Sequence, residues 1–101
     1  MALIVAGVSH HTAPLPLRER LVIGAGDILS AAERLLAATG ASEVVLLSTC
    51  NRTEVYVVEG ERDAAPAIWS DFSERLSEDV APFGYVRRDR DAVAHLYRVT
   101  A

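Results

Sequence analysis

Two short apolar runs, Val44-Val45-Leu46-Leu47 and Val55-Tyr56-Val57-Val58, stand on either side of a wholly polar link from Ser48 to Arg52. Both are rich in β-branched residues and short enough to be strands, which predicts a strand pair joined by a tight connection. The only cysteine, Cys50, falls in that connection and therefore at the tip of the pair. A cysteine kept for packing is expected among the valines, where a small apolar side chain gains from burial. This one is displayed beside hydroxyls, an amide and a guanidinium, which is where a nucleophile belongs.

The rest of the chain arranges itself around that pair. Leu3-Ile4-Val5-Ala6-Gly7-Val8 is a continuous apolar run, read as a buried central strand. Residues Ser9 to Pro14 form a polar loop, and Pro16 can open a short helix through Leu21. Asp27 is placed to cap a longer helix in which Ile28, Leu29, Ala32, Leu35 and Leu36 recur at helical spacing, with Gly40 as its left-handed stop. After the strand pair, Asp63 can cap a second helix with Pro66 in its first turn and Ile68, Trp69, Phe72 and Leu76 on one face. Pro82 interrupts, and residues 83–87 read as a short last strand that Gly84 weakens. From Asp91 to Ala101 the helical pattern returns, with Val93, Leu96, Tyr97 and Thr100 as its expected inner face and His95 off that stripe. The order β-α-β-β-α-β is that of an α+β ferredoxin-like split βαβ sandwich, with a short extra helix after the first strand and a C-terminal helix. The chain ends inside its last predicted helix, so the expectation is a piece of something longer.

Composition narrows the function classes. The 101 residues suffice for one domain, and half of them are hydrophobic, which argues against disorder. Ten arginines, no lysine and a net charge of −4 do not suit a domain that coats nucleic acid non-specifically. The cluster Arg87, Arg88, Arg90 and Arg98 leaves room for one local contact. A single cysteine makes no internal disulfide and suits a reducing compartment. The apolar start lacks a basic lead and is too short to span a membrane, so the expected location is the cytoplasm, and Asn51-Arg52-Thr53 is a sequon only by its letters.

For Cys50 to act as a nucleophile it needs cationic or hydrogen-bonding help, and Arg52 lies two residues on. The alternative is an inert thiol at a strand end. His95 can serve as a base or thiolate partner, or it can be a helix-surface histidine interacting with Asp91. His10 and His11 read as loop residues, and the three histidines with Cys50 have no recognisable metal-ligand spacing. Leu21-Val22-Ile23-Gly24-Ala25-Gly26 begins like a dinucleotide fingerprint, but Leu29 stands where the third glycine belongs and the following strand ends without the required acid. No nicotinamide site is expected there.

Three blocks, Gly7-Val8-Ser9-His10-His11-Thr12-Ala13-Pro14, Leu47-Ser48-Thr49-Cys50-Asn51-Arg52-Thr53-Glu54 and His95-Leu96-Tyr97-Arg98-Val99, together resemble the glutamyl-tRNA reductase family in order and approximate spacing. His11 departs from the pattern, in which a lysine is usual. The resemblance implies that residues 1–101 are the N-terminal catalytic domain, with an NADPH-binding domain and a dimerisation domain outside this chain. It implies that Cys50 attacks the ester of glutamyl-tRNA to form a thioester, which NADPH then reduces to glutamate 1-semialdehyde for tetrapyrrole synthesis. It also implies substrate contacts from Thr49, Asn51 and Arg52, with Arg52 on the free side-chain carboxylate, and a catalytic part for His95 as base or thiolate partner. On that reading this chain binds no cofactor of its own, is inactive alone as a reductase, and belongs to a soluble homodimer whose substrate partner is glutamyl-tRNA.

Two other classes compete. A small ferredoxin-like binding or regulatory module with a structural thiol predicts slow alkylation of Cys50 and no dependence on Arg52. A free-standing cysteine hydrolase predicts turnover of simple esters without tRNA.

Overall fold

A computed structural model describes residues 2–100. Strand β1 (Ala2–Ser9) is followed by helices α1 (Leu15–Leu21) and α2 (Ile28–Thr39), the hairpin strands β2 (Glu43–Ser48) and β3 (Arg52–Glu59), helix α3 (Ala65–Leu76), strand β4 (Tyr85–Arg88) and helix α4 (Asp89–Thr100). The sheet order is β2-β3-β1-β4. Every neighbouring pair is antiparallel. Each βαβ unit is therefore split by a strand from the other, which is the ferredoxin-like topology expected from the element order.

The apolar run in β1 does what a central strand requires: Ile4, Val5, Ala6 and Val8 are all fully buried. Alternation then divides the sheet. Ile4, Ala6, Val8, Val55 and Val57 face a core shared with Leu17 and Leu21 of α1, Leu35 of α2, and Ile68, Phe72 and Leu76 of α3. Val5 and Tyr56 face the other way, where Ala92 of α4 packs on them. Three helices thus cover one face and a single helix crosses the other.

The helix starts differ in part from the sequence reading. Asp27 makes no side-chain cap bond, because a 3₁₀ turn (Ala25–Asp27) precedes α2 and leaves Asp27 with helical rather than extended backbone. The buried positions of α2 are Ala31, Leu35 and Thr39, whereas Leu29 is 71% exposed. Thr39 can face inward because its hydroxyl donates to the Leu35 carbonyl at 2.7 Å. Gly40 closes α2 at φ 67°, as expected. Asp63 accepts the Ala65 N–H at 3.1 Å, and α3 buries Ile68, Phe72 and Leu76 as its stripe predicts. The last strand is shorter than expected, since Phe83 belongs to a 3₁₀ turn (Ala81–Phe83).

The larger correction concerns α4. Val93 and Tyr97 are exposed, at 41% and 72%, and Leu96 and Thr100 are exposed as well, while Ala92 is buried and His95 and Val99 turn inward. The hydrophobic stripe misplaced the inner face because this helix lies over a mixed floor, with Val5 and Tyr56 under Ala92 and the Glu54 carboxylate under His95. A tight reversal aims it there: β4 runs straight into α4 through Asp89 at φ 51°, a backbone state that aspartate tolerates better than most residues. Asp89 also accepts the Leu3 N–H at 3.2 Å, which ties the start of α4 to β1. Ala101, the last residue of the predicted helix, lies outside the described residues.

Gly7 has a packing reason. A Cβ built there would sit 2.5 Å from the Thr53 carbonyl oxygen and 2.9 Å from both Cα and Cγ of Glu54. Gly7 pairs with Glu54 in the β1–β3 register, so the glutamate side chain fills the space a β1 side chain would need. Gly7→Ala is therefore expected to cost about 1–3 kcal/mol through overpacking of a central strand. Gly26→Ala, which meets nothing within 4 Å, is the control. Thermal melts of the two variants measure this, and equal melting temperatures would remove the argument.

Candidate active site

The β2–β3 hairpin holds Thr49, Cys50 and Asn51 at its tip, as the sequence predicted. Its geometry comes from local hydrogen bonds. The Thr49 N–H donates to the Arg52 carbonyl at 2.7 Å, closing the turn. The Thr49 hydroxyl accepts the N–H groups of Asn51 at 3.2 Å and Arg52 at 3.3 Å. The loop is also tied outward: the His10 N–H donates to the Asn51 carbonyl at 2.8 Å, and Arg18 Nη1 donates to the Cys50 carbonyl at 3.3 Å. Cys50 itself is exposed. The thiol is thus presented to solvent on a turn whose backbone is held from three directions.

Beside the hairpin, on the α4 side of the sheet, lies a cleft of about 370 Å³ lined by Ser9, His11, Thr12, Arg52, Tyr85, Arg87, His95, Arg98 and Val99. Three arginines and two histidines face it, and no carboxylate lines it, although the chain as a whole is acidic. The positive field extends to the adjoining loop. His10 sits below the usual imidazole range through lost hydration, through His11 whose ring lies tilted beside it at 3.9 Å between centres, and through the charges of Arg52 and Arg18. Such a cleft is built to receive an anionic group.

Beneath the cleft is one acid. Glu54 is fully buried, and its carboxylate collects donors from three elements. Tyr56 donates to Oε1 at 2.9 Å; Tyr85 and His95 Nε2 bond to Oε2; and Arg52 Nη1 approaches the same oxygen at 3.4 Å. Burial alone pushes the carboxyl up, but the bonds from Tyr85, His95 and Tyr56 together outweigh it and hold Glu54 below the usual carboxylate range. Burial and the same carboxylate push both phenols up, so Tyr56 and Tyr85 stay protonated donors.

A pH dependence follows. Since Glu54 binds its proton less readily in the folded chain than in the unfolded one, its contribution is complete above the ordinary carboxylate range. It is lost as pH falls through the folded-state value. The stability gap between the wild type and Glu54→Gln should be largest near neutrality and shrink below about pH 4. Denaturant titrations of both proteins at several pH values test this, and a gap that does not change with pH would contradict it.

The sequence-predicted residues divide accordingly. Arg52 and His95 are brought together across Glu54, while Thr49, Cys50 and Asn51 form the neighbouring loop. Cys50 lies in the turn just before Arg52 opens strand β3. Among the described residues no contact joins Cys50 to His95. The inward turn of His95 overturns its placement off the packed stripe of α4. Sequence reading left Glu54, Tyr56, Tyr85, Ser9 and Thr12 without roles and took His11 for a plain loop residue. One signal was available: an acid at position 54 next to the apolar run Val55-Tyr56-Val57-Val58, in step with Arg52 and Tyr56.

The fold and cleft define an α+β domain of the ferredoxin-like kind that offers an exposed thiol next to an anion-receiving pocket. The family model for the glutamyl-tRNAGlu reductase N-terminal domain matches residues 6–101, and the chain belongs to that family. Glutamyl-tRNA reductase of Marinobacter nauticus is 45% identical over 104 residues, covering 100% of this chain and 24% of that protein. The Thiobacillus denitrificans protein of the same name is 40% identical over 101 residues, again with 24% of its length covered. Among solved structures, the glutamyl-tRNA reductase from Methanopyrus kandleri superposes with a TM-score of 0.67 at 29% identity, covering 96% of this chain and 21% of that one. The chain spans about a quarter of the length of the curated relatives it matches. No helix among the described residues is long and apolar enough to cross a membrane.

Proposed function

We propose that this chain is the acyl-accepting domain of a glutamyl-tRNA reductase, in which Cys50 takes the glutamyl group from glutamyl-tRNA. The observation that carries this reading is the exposed thiol two residues from Arg52, whose guanidinium enters a cleft of cations without a lining acid. The names of the relatives supply the substrate, and the pathway is tetrapyrrole synthesis from glutamate.

The glutamyl group enters with its free side-chain carboxylate toward Arg52, which a guanidinium can hold through two parallel bonds. Asn51 and the backbone around Thr49 orient the α-amino group and the ester carbonyl. The Thr49 hydroxyl accepts two loop N–H groups, which holds the turn in shape, and its O–H remains free to donate to the ester carbonyl. Cys50 gives up its proton and its sulfur attacks the ester carbonyl; the C–S bond forms, the C–O bond breaks, and the ribose oxygen leaves with a proton. His95, facing the same cleft, is the group available to receive and return that proton. Arg87 and Arg98 on the rim suit the phosphates near the RNA terminus.

NADPH, which the reading requires for the reduction to glutamate 1-semialdehyde, is not assigned to the one glycine-rich turn of this chain. Gly24-Ala25-Gly26 follows helix α1, not a strand, and leads into a 3₁₀ turn. On this reading the part of residues 1–101 ends at the thioester, and reduction and homodimer formation are assigned to domains outside them.

Mixing the protein with glutamyl-tRNA, quenching in acid and reading the intact mass tests the proposal. A glutamyl adduct that peptide mapping places on Cys50 and that hydroxylamine removes is the expected result. An adduct elsewhere, or none at saturating substrate, would sink it.

A further inference from the structure

We propose that Glu54 is the positioning residue of this site: its carboxylate, on which four donors converge, keeps a proton on Nε2 of His95 and so leaves Nδ1 as the basic atom. The inference rests on the role given to His95 under Proposed function, but its first readout does not.

The donor count carries it. An ionised carboxylate only accepts, and its two oxygens offer about four sites. Tyr56 donates to Oε1, while Tyr85, Arg52 and His95 converge on Oε2, so three of the four donors meet at one oxygen. The Arg52 group has only donors to offer. His95 Nε2 must then donate as well, since two acceptors cannot share that contact. A neutral imidazole with its proton on Nε2 has its lone pair on Nδ1. His95 lines the cleft and its side chain is 13% exposed, so the ring is held between a buried anchor and the substrate space. Neither the tyrosines nor the arginine could set that tautomer without the carboxylate between them.

Two further features fit an anchor and not mere filler. Gly7 leaves open the volume that the Glu54 side chain occupies, so β1 is built around the carboxylate. The donors come from β3, β4 and α4, which means that one group sets the relation of Arg52 to His95 across the cleft.

The test is nuclear magnetic resonance on the chain with ¹⁵N-labelled histidine, His95 being assigned by its loss in His95→Asn. In the wild type a solvent-protected, downfield proton attached to His95 Nε2 is expected. In Glu54→Gln, whose amide has one acceptor oxygen, that signal should vanish or move upfield, and acyl transfer to Cys50 should fall about 10–100-fold. If Glu54→Gln does not fold, Glu54→Asp keeps the charge one methylene further back, and the same resonance should move upfield. A missing Nε2 proton in the wild type, an unchanged resonance in the folded variant, or undiminished transfer in Glu54→Gln overturns the proposal. If the wild type shows the resonance but forms no thioester, the reading under Proposed function fails and the assignment of Glu54 as anchor stands.

Discussion

Cys50→Ser is expected to lose thioester formation from glutamyl-tRNA by on the order of 10³-fold or more while folding normally. The fold should be indifferent, because Cys50 is exposed and only its carbonyl is used, by Arg18. The chemistry should not be. A serine hydroxyl in the same turn has a far higher pKa than a thiol and stays the weaker nucleophile even with His95 available to take its proton. The variant still has Arg52 and the rest of the cleft, so it should bind glutamyl-tRNA about as tightly as the wild type. Single-turnover acylation and filter binding, run side by side, separate the two effects. Equal loss in both would mean that residue 50 belongs to the binding surface and not to the chemistry. Retained acylation would place the acceptor on another residue.

How much of this was legible from the residues depends on what each element packs against. Strand β1, the hairpin and the inner face of α3 were readable because an apolar core imposes its period on whatever buries against it: Ile68, Phe72 and Leu76 face the sheet because no polar group competes for that surface. Helix α4 broke the rule for the converse reason. Its floor is part apolar, Val5 and Tyr56 under Ala92, and part polar, Glu54 and Tyr85 under His95, and its apolar residues Val93 and Tyr97 point outward. A stripe count rewards apolar spacing and cannot see a polar floor. The thiol was legible as a displayed group because polar neighbours surround it in sequence. The anchor beneath the cleft was not, because Tyr56 and Tyr85, 29 positions apart, and His95 meet on Glu54 only after three elements have assembled.

Arg52→Ala should weaken acyl transfer from glutamyl-tRNA by roughly 10²–10³-fold, the scale expected when one partner of a desolvated charge pair is removed. Part of that loss is internal, since Glu54 would surrender one of its four donors. Two comparisons isolate the substrate part. Arg52→Lys keeps the charge but loses the planar fork, and should recover only a fraction of the rate. More telling is tRNA carrying glutamine in place of glutamate, whose side chain is isosteric but uncharged. If Arg52 reads the carboxylate, the wild type should prefer glutamyl-tRNA strongly, and Arg52→Ala should lower that preference to near unity by slowing the glutamyl substrate far more than the glutaminyl one. A variant slowed equally on both substrates would assign Arg52 to support of Glu54 and His95, and the recognition of the carboxylate would pass to the other arginines lining the cleft, Arg87 and Arg98.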